Sequence, residues 1–223
     1  MSIHNLYLDE ETQEKIKKIP DERRWNNYRN FDLEVETWHN FWSNTYQRKD
    51  TKEKVLDFGC GAAYNEVVAN KLNIANVVSL DIDTKEVKIV FGRFHKALGI
   101  KAKYWDGKKI DYQDNYFDAV TAKASLSKRV NSDWDSVVSE LIRVTKDNGI
   151  WYISPPYMIE NLAQNIKPDL VGLMKSKNIS IVAWTWDLQD PRNRYWKNFK
   201  DKKSPKEILG NHDIDYKHRK DFK

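Results

Sequence analysis

The chain has 223 residues, 40% of them hydrophobic, and a formal net charge of +5. That is enough for one domain with a full core, and no apolar run is long enough to span a membrane. A single cysteine, Cys60, excludes an internal disulfide, and the start "MSIHNLYLDEETQEK" lacks the basic-then-apolar pattern of a secretory signal, so a soluble cytoplasmic protein is expected. The charge is unevenly spread. Residues 191–223 hold 11 Lys/Arg against 5 Asp/Glu, a net +6, and the rest of the chain nets −1. Such a segment can contact phosphates. A solvated tail is the preferred reading, because its acids are interspersed and no Arg cluster forms.

In chain order, residues 9–19 are polar and helix-compatible, and Pro20 stops them. Residues 33–46 predict a stronger helix, with Val35, Trp38, Trp42 and Tyr46 near one face. An aromatic stripe of that kind usually packs. From residue 53 strand and helix signals alternate. "KVLDF" reads as a first strand, "NEVVANKL" as a helix and "NVVSLDI" as a second strand. "DTKE" at 83–86 reads as a capping box with Asp83 at the N-cap. Val87, Val90, Phe91, Phe94 and Leu98 then form a helical stripe, with Gly99 where a C-terminal cap belongs. "KAKYW" and "YFDAVTA" are the third and fourth strands. "DWDSVVSELIRV" is a helix with Trp134, Val137, Val138 and Leu141 on one face, and "GIWYIS" is a fifth strand. Residues 158–177 are helix-compatible but interrupted by Pro168. "ISIVAWTW" is a sixth strand and "RYWKNF" a candidate seventh. Alternation of this kind predicts parallel strands joined by crossovers, with a ligand beyond the carboxyl ends of the strands.

The loop "VLDFGCGAAYN", Val55–Asn65, joins the first strand to the first helix. Glycine at 59 and 61 allows a tight turn and close backbone approach to a ligand. The second strand ends in Asp81, where a carboxylate can accept two hydrogen bonds from a ribose diol. The third ends in "YWDG", where Asp106 suits an exocyclic amine and Trp105 a flat ring. Three strand ends thus offer what an adenosine-bearing ligand needs. A dinucleotide loop would read G-x-G-x-x-G, but Tyr64 stands at the third glycine position. Asp57 would also repel a pyrophosphate and suits a cationic amino-acid group, which favours S-adenosyl-L-methionine over NAD.

The motifs in sequence resemble those of class I S-adenosylmethionine-dependent methyltransferases, in their small-molecule branch. "VLDFGCGAA" resembles the D-x-G-C-G-x-G loop and "VVSLDID" the acidic second-strand motif. "YWDG…YFDAV" is similar to the third-strand Asp and fourth-strand Phe-Asp. "SELIRVTKDNGIWYISPP" resembles the helix, turn and fifth strand read E-x-x-R-V-L-x-P-G-G. The resemblance spans about residues 53–156. Ala63 replaces a glycine and Asp147-Asn148 replaces Pro-Gly. It implies an α/β, Rossmann-like, doubly wound, mostly parallel seven-stranded sheet with an N-terminal helical extension. Residues 1–50 would be the extension or lid, 51–200 the S-adenosylmethionine-binding domain, and 201–223 a basic tail. It implies that Asp57, Gly59 and Gly61 line the methionine end of the cofactor, with Phe58 and Cys60 in the same cofactor-binding stretch. Asp81 would hold the ribose hydroxyls, with Ile82 against the adenine and Asp106 at its amine. Lys123 would lie near the methyl group.

"SPPY" at 154–157 matches the tetrapeptide of methyltransferases that act on nucleic acid bases, where the polar residue accepts the target amine and the tyrosine stacks on the base. In those enzymes it ends the fourth strand, whereas here it follows the fifth. Tyr157 can still face a substrate. His4, His39, His95, His212 and His218 are scattered, so no metal is expected. His95 reads as structural, beside its helix's apolar stripe. His39 is a candidate general base, and Lys123, His39 and Tyr157 are the only catalytic candidates. Cys60 has no base partner that would make it a nucleophile. The expected reaction is in-line methyl transfer to an O, N or S atom of a small molecule such as a sugar or aromatic metabolite. Alternatives are a nucleic-acid methyltransferase using the basic C-terminal segment, a non-catalytic methyltransferase-like binding protein and, more distantly, a dinucleotide oxidoreductase.

Overall fold

The computed structural model describes residues 3–20, 30–46, 52–126, 133–154 and 157–184. The chain divides into two compact units, Met1–Lys109 and Ile110–Lys223.

The first unit opens with a 3-10 turn, Ile3–Leu6, followed by α1 (Glu10–Lys17), whose N-cap Asp9 accepts from the Thr12 amide. Helix α2 (Phe31–Asn40) starts at Asn30, which accepts from Leu33, and runs into a wider π-type turn, Phe41–Thr45. Val35, Trp38, Trp42 and Tyr46 are all buried, as their spacing predicts. The Trp42 indole N–H donates to the Asn65 side-chain oxygen at 2.8 Å, and the Tyr46 hydroxyl donates to Glu53. These bonds fasten the N-terminal helices to the βα units that follow.

Those units are β1 (Lys54–Phe58), α3 (Tyr64–Leu72), β2 (Asn76–Ile82), α4 (Lys85–Leu98) and β3 (Lys103–Trp105). The strands are parallel, in the order β3-β2-β1. The register pairs Phe58 with Leu80 and Ile82 with Trp105, so the strand ends bearing Asp57, Asp81 and Asp106 lie along one edge. Val55, Leu56, Asp57 and Phe58 are all buried, the mark of a parallel strand covered on both faces. One boundary differs from expectation. Thr84, not Asp83, caps α4, accepting from the Val87 amide at 3.1 Å. The Asp83 amide still donates to Trp105 O at 2.7 Å, which carries strand-like pairing one residue past β2 and delays the helix. The Asp83 carboxylate pairs with Lys88 instead, at 2.6 Å.

The second unit holds β4 (Phe117–Lys123), α5 (Trp134–Val144), β5 (Thr145–Ser154), α6 (Tyr157–Asn165), α7 (Pro168–Ser176) and β6 (Ser180–Ala183). Its strands are also parallel, in the order β4-β5-β6. Asp133 caps α5, accepting from Ser136. Pro168 splits the predicted helical stretch and opens α7, where its missing N–H is harmless. Strand β5 begins earlier than expected. Its register jumps from Phe117↔Thr145 to Ala119↔Ile150, and the bulge contains Asn148 at φ 59° and Gly149. A Cβ on Gly149 would lie 2.3 Å from Thr145 Cγ2 and 2.8 Å from Lys146 O, so only glycine fits this bulge.

The chain thus has the expected α/β, Rossmann-like, parallel class. Among the described residues there are six strands rather than seven. The candidate seventh, "RYWKNF", and the basic tail lie outside the described residues. No described helix is long and apolar enough to cross a membrane.

Candidate functional site

The loop from β1 to α3 folds back on the end of β2. The Gly59 and Cys60 amides both donate to Leu80 O, at 2.8 and 3.1 Å, and the Ala63 amide donates to Cys60 O at 2.9 Å. Gly59, Gly61 and Ala63 all take left-handed conformations, with φ of 69°, 54° and 63°. Glycine adopts these without penalty, and Ala63 does not.

Asp81 is the anchor of this loop. It is 8% exposed. One carboxylate oxygen accepts from the Gly61 amide at 2.9 Å and the other from the Ile82 amide at 2.8 Å. The Gly61 carbonyl is held from the other side, by His95 Nε2 at 2.7 Å, and His95 Nδ1 lies 3.0 Å from the Tyr104 hydroxyl. Burial pushes the His95 pKa down, against the opposing pull of the Gly61 carbonyl. The ring is therefore neutral at neutral pH. A carbonyl can only accept, so the single ring proton sits on Nε2, and Tyr104 donates to Nδ1. The sequence shows His95 only as a residue beside an apolar stripe. Its role depends on α4 and β3 converging on the loop, which no local pattern reports.

The electrostatics of the loop are negative. Asp57, at the end of β1, is 1% exposed. Burial raises the pKa of Asp81, with the Gly61 and Ile82 amides opposing it. Burial also raises that of Glu66, in the first turn of α3, which accepts from the Ser79 hydroxyl at 2.7 Å. The Cys60 thiol is pushed well above its usual range by burial first, then by Asp81, Asp57 and Glu66. It stays protonated and is no nucleophile. Three carboxylates acting on one loop atom describe a place suited to a cation and hostile to a pyrophosphate.

The remaining candidates are placed as follows. Ile82, beside Asp81, is 37% exposed, one of few large apolar side chains so open among the described residues. Phe58 is buried edge-on to Trp105, with ring centroids 5.8 Å apart. Trp105 is itself buried, so it packs the strand end rather than offering an open face. Asp106 is exposed, and its carboxylate accepts from the Lys108 amide at 2.9 Å across a turn through Gly107. That amide holds its pKa below the usual range. The first unit therefore gathers Asp57, Phe58, Gly59, Cys60, Gly61, Asp81 and Ile82 around one loop, with Asp106 at the next strand end. His39, on α2, has Nδ1 at 2.5 Å from the Tyr7 hydroxyl and Nε2 at 3.5 Å from Ser43 Oγ. In the second unit, Lys123 ends β4 opposite Ser154, and Tyr157 opens α6. Ser154 is fully buried, and its hydroxyl donates to Trp184 O at 2.7 Å. The serine of "SPPY" thus ties the end of β5 to Trp184. Among the described residues no group of His, Cys, Asp and Glu is placed to hold a metal.

Residues 56–153 match the family model described as a methyltransferase domain. These residues are similar to a methyltransferase domain. The match covers less than half of the chain, and all of the loop except Val55 lies inside it. The domain agrees with the expectation of S-adenosyl-L-methionine as cofactor. No curated protein matches the chain. Among solved structures, a Methanococcus maripaludis protein assigned as an S-adenosyl-L-methionine-dependent methyltransferase is 15% identical, with 87% of this chain and 85% of that one covered and a TM-score of 0.46. An S-adenosylmethionine-dependent methyltransferase from Aquifex aeolicus is 20% identical over 74% of this chain and 87% of its own, at 0.43. An acetophenone reductase from Geotrichum candidum in complex with NAD is 15% identical over 76% of this chain and 43% of its own, also at 0.43. Scores this low carry no weight for chemistry.

Proposed function

We propose that the chain is an active S-adenosyl-L-methionine-dependent methyltransferase that acts on a small molecule. The carrying observation is the pair of buried carboxylates at the glycine loop, Asp57 at 1% and Asp81 at 8% exposure, with Asp81 bonded directly to the Gly61 amide. A sulfonium or an α-ammonium group is stabilised there, and a pyrophosphate is repelled. Asp57, Phe58, Gly59, Cys60 and Gly61 would hold the methionine end. Asp81 has lone pairs left after its two amide bonds and would take the ribose hydroxyls. Ile82, exposed beside it, offers apolar surface to the adenine, and Asp106 would meet the adenine amine.

The cofactor supplies a methyl group on a sulfonium sulfur. The chain's part is to align an acceptor O, N or S atom and exclude water, so a dedicated base is optional. Lys123, His39 and Tyr157 remain the candidates near an acceptor. A sugar or an aromatic metabolite is the substrate class we favour over a nucleic acid base, because Ser154 ends β5 rather than the fourth strand and is fully buried.

Calorimetric titration tests the reading. The protein binds S-adenosylhomocysteine and shows little affinity for NAD. Equal responses to the two would refute it. A methyl-transfer assay on a metabolite extract, run beside total RNA and DNA, tests the acceptor class. Labelled methyl in one defined nucleic acid position would overturn the small-molecule reading.

A further inference from the structure

We infer that His95, oriented by Tyr104, is a positioning residue that holds the glycine loop in its cofactor-binding shape. This rests on the cofactor reading above.

Gly61 has no side chain and a left-handed φ of 54°. Its path is therefore set by whatever holds its N–H and its C=O. Asp81, from β2, holds the N–H at 2.9 Å. His95, from α4, holds the C=O at 2.7 Å. Tyr104, from β3, stands behind His95 at 3.0 Å from its other nitrogen. Three separate elements thus converge on one residue of the loop. The remainder of the buried face of α4 is Val90, Phe91 and Phe94, where a histidine has no packing advantage. At 5% exposure its ring nitrogens have lost water and need partners. They find the loop carbonyl on one side and a hydroxyl on the other. Tyr104 makes the arrangement directional: by donating to Nδ1 it fixes the proton on Nε2, the only nitrogen that reaches Gly61. An apolar residue at 95 would leave the Gly61 carbonyl without its donor, and the peptide would be free to rotate away from the shape that Asp81 alone cannot specify.

The test uses the full chain, labelled with ¹⁵N. Long-range ¹H–¹⁵N spectra of the His95 ring report its tautomer, and calorimetry reports affinity for S-adenosylhomocysteine. In the parent, His95 carries its proton on Nε2. His95→Phe keeps ring bulk and loses the donor, and its affinity falls about tenfold. His95→Gln restores an N–H near the Nε2 position and recovers most of that loss. Tyr104→Phe releases the tautomer, seen as mixed ring signals, with a smaller loss of affinity. If His95→Phe fails to fold, the parent's tautomer and the Gln and Tyr104→Phe variants still decide. A proton on Nδ1 in a parent that binds S-adenosylhomocysteine overturns the clamp alone. So does a folded His95→Phe protein of parental affinity. A parent that binds no S-adenosylhomocysteine overturns the cofactor reading, and the role claimed for His95 with it.

Discussion

Asp81→Asn separates what the carboxylate does for the fold from what it does for a ligand. An isolated strand-end acid would tolerate the amide well. Here it should not. Both carboxylate oxygens accept backbone N–H groups, one from Gly61 at 2.9 Å and one from Ile82 at 2.8 Å. Asparagine has one acceptor oxygen, so whichever amide it keeps, its own NH₂ confronts the other. A hydrogen bond to a charged acceptor contributes about 1.5–3 kcal/mol. Removing a buried charge returns part of that, since burial already raises the Asp81 pKa. The net expectation is a loss of about 1–2 kcal/mol before any ligand is added. In a chain of this length each kcal/mol shifts Tm by roughly 2–4 °C. Asp81→Ala leaves both N–H groups without the carboxylate and should cost more. The assay is a thermal melt of each variant, followed by titration with S-adenosylhomocysteine at a temperature where all are folded. Affinity should fall further than stability, because the ribose bonds go as well. An Asp81→Asn protein with the parent's Tm and the parent's affinity would refute both the loop anchor and the ribose assignment.

Ala63→Gly should stabilise the protein by about 1 kcal/mol, read as a rise in Tm, because Ala63 is held at φ 63°. Gly149→Ala should destabilise it by about 2 kcal/mol or more in urea unfolding, since the new Cβ meets Thr145 Cγ2 and the Lys146 carbonyl. Cys60 should react slowly with iodoacetamide at pH 8 compared with a free thiol, because burial and then Asp81, Asp57 and Glu66 hold it protonated. Affinity for S-adenosylhomocysteine should be full above the raised Asp81 pKa and fall, by at most about tenfold per pH unit, as pH drops through it, because hydroxyl donors favour the ionised carboxylate. Asp81→Asn should flatten that profile.

The features legible in the sequence are those with a local signal. Strand alternation, the glycine loop and the acids at strand ends need only neighbouring residues, and the loop gathers Asp57, Gly59, Gly61 and Asp81 as expected. The stripe Val35–Trp38–Trp42–Tyr46 was legible for the same reason. Misses occurred where two segments far apart decide. The cap at Thr84 rather than Asp83 follows from the Asp83 amide bonding Trp105, 22 residues on. Gly149 looks like an ordinary turn glycine until Thr145 and Lys146 are seen to crowd it. The link from Trp42 to Asn65 spans 23 residues, and that from His95 to Gly61 spans 34. Neither has a periodicity to betray it. Trp105 illustrates the converse, a residue whose type suits a flat ring but which is buried against its neighbour Phe58.

The buried acids at the loop have a thermodynamic consequence. Asp81 and Glu66 both have pKa values raised by burial. For a carboxyl whose folded pKa exceeds its unfolded value, the fold binds protons more tightly than the unfolded chain. Its stabilising effect is complete below the unfolded pKa and is lost as pH rises through the folded one. At neutral pH the ionisation of these two carboxylates therefore costs the free fold part of what their hydrogen bonds contribute. At position 66 a neutral acceptor would satisfy the Ser79 hydroxyl without the charge, whereas at position 81 only a carboxylate offers separate oxygens to the Gly61 and Ile82 amides. The glycine loop itself needs only acceptors. On the proposed function, the negative potential serves a cationic group that arrives from solution. A ligand bearing a cationic group removes part of the desolvation cost by supplying the missing opposite charge, and the free energy so released adds to its binding. On the proposed function, the acids are a feature of the free protein that the bound state makes favourable.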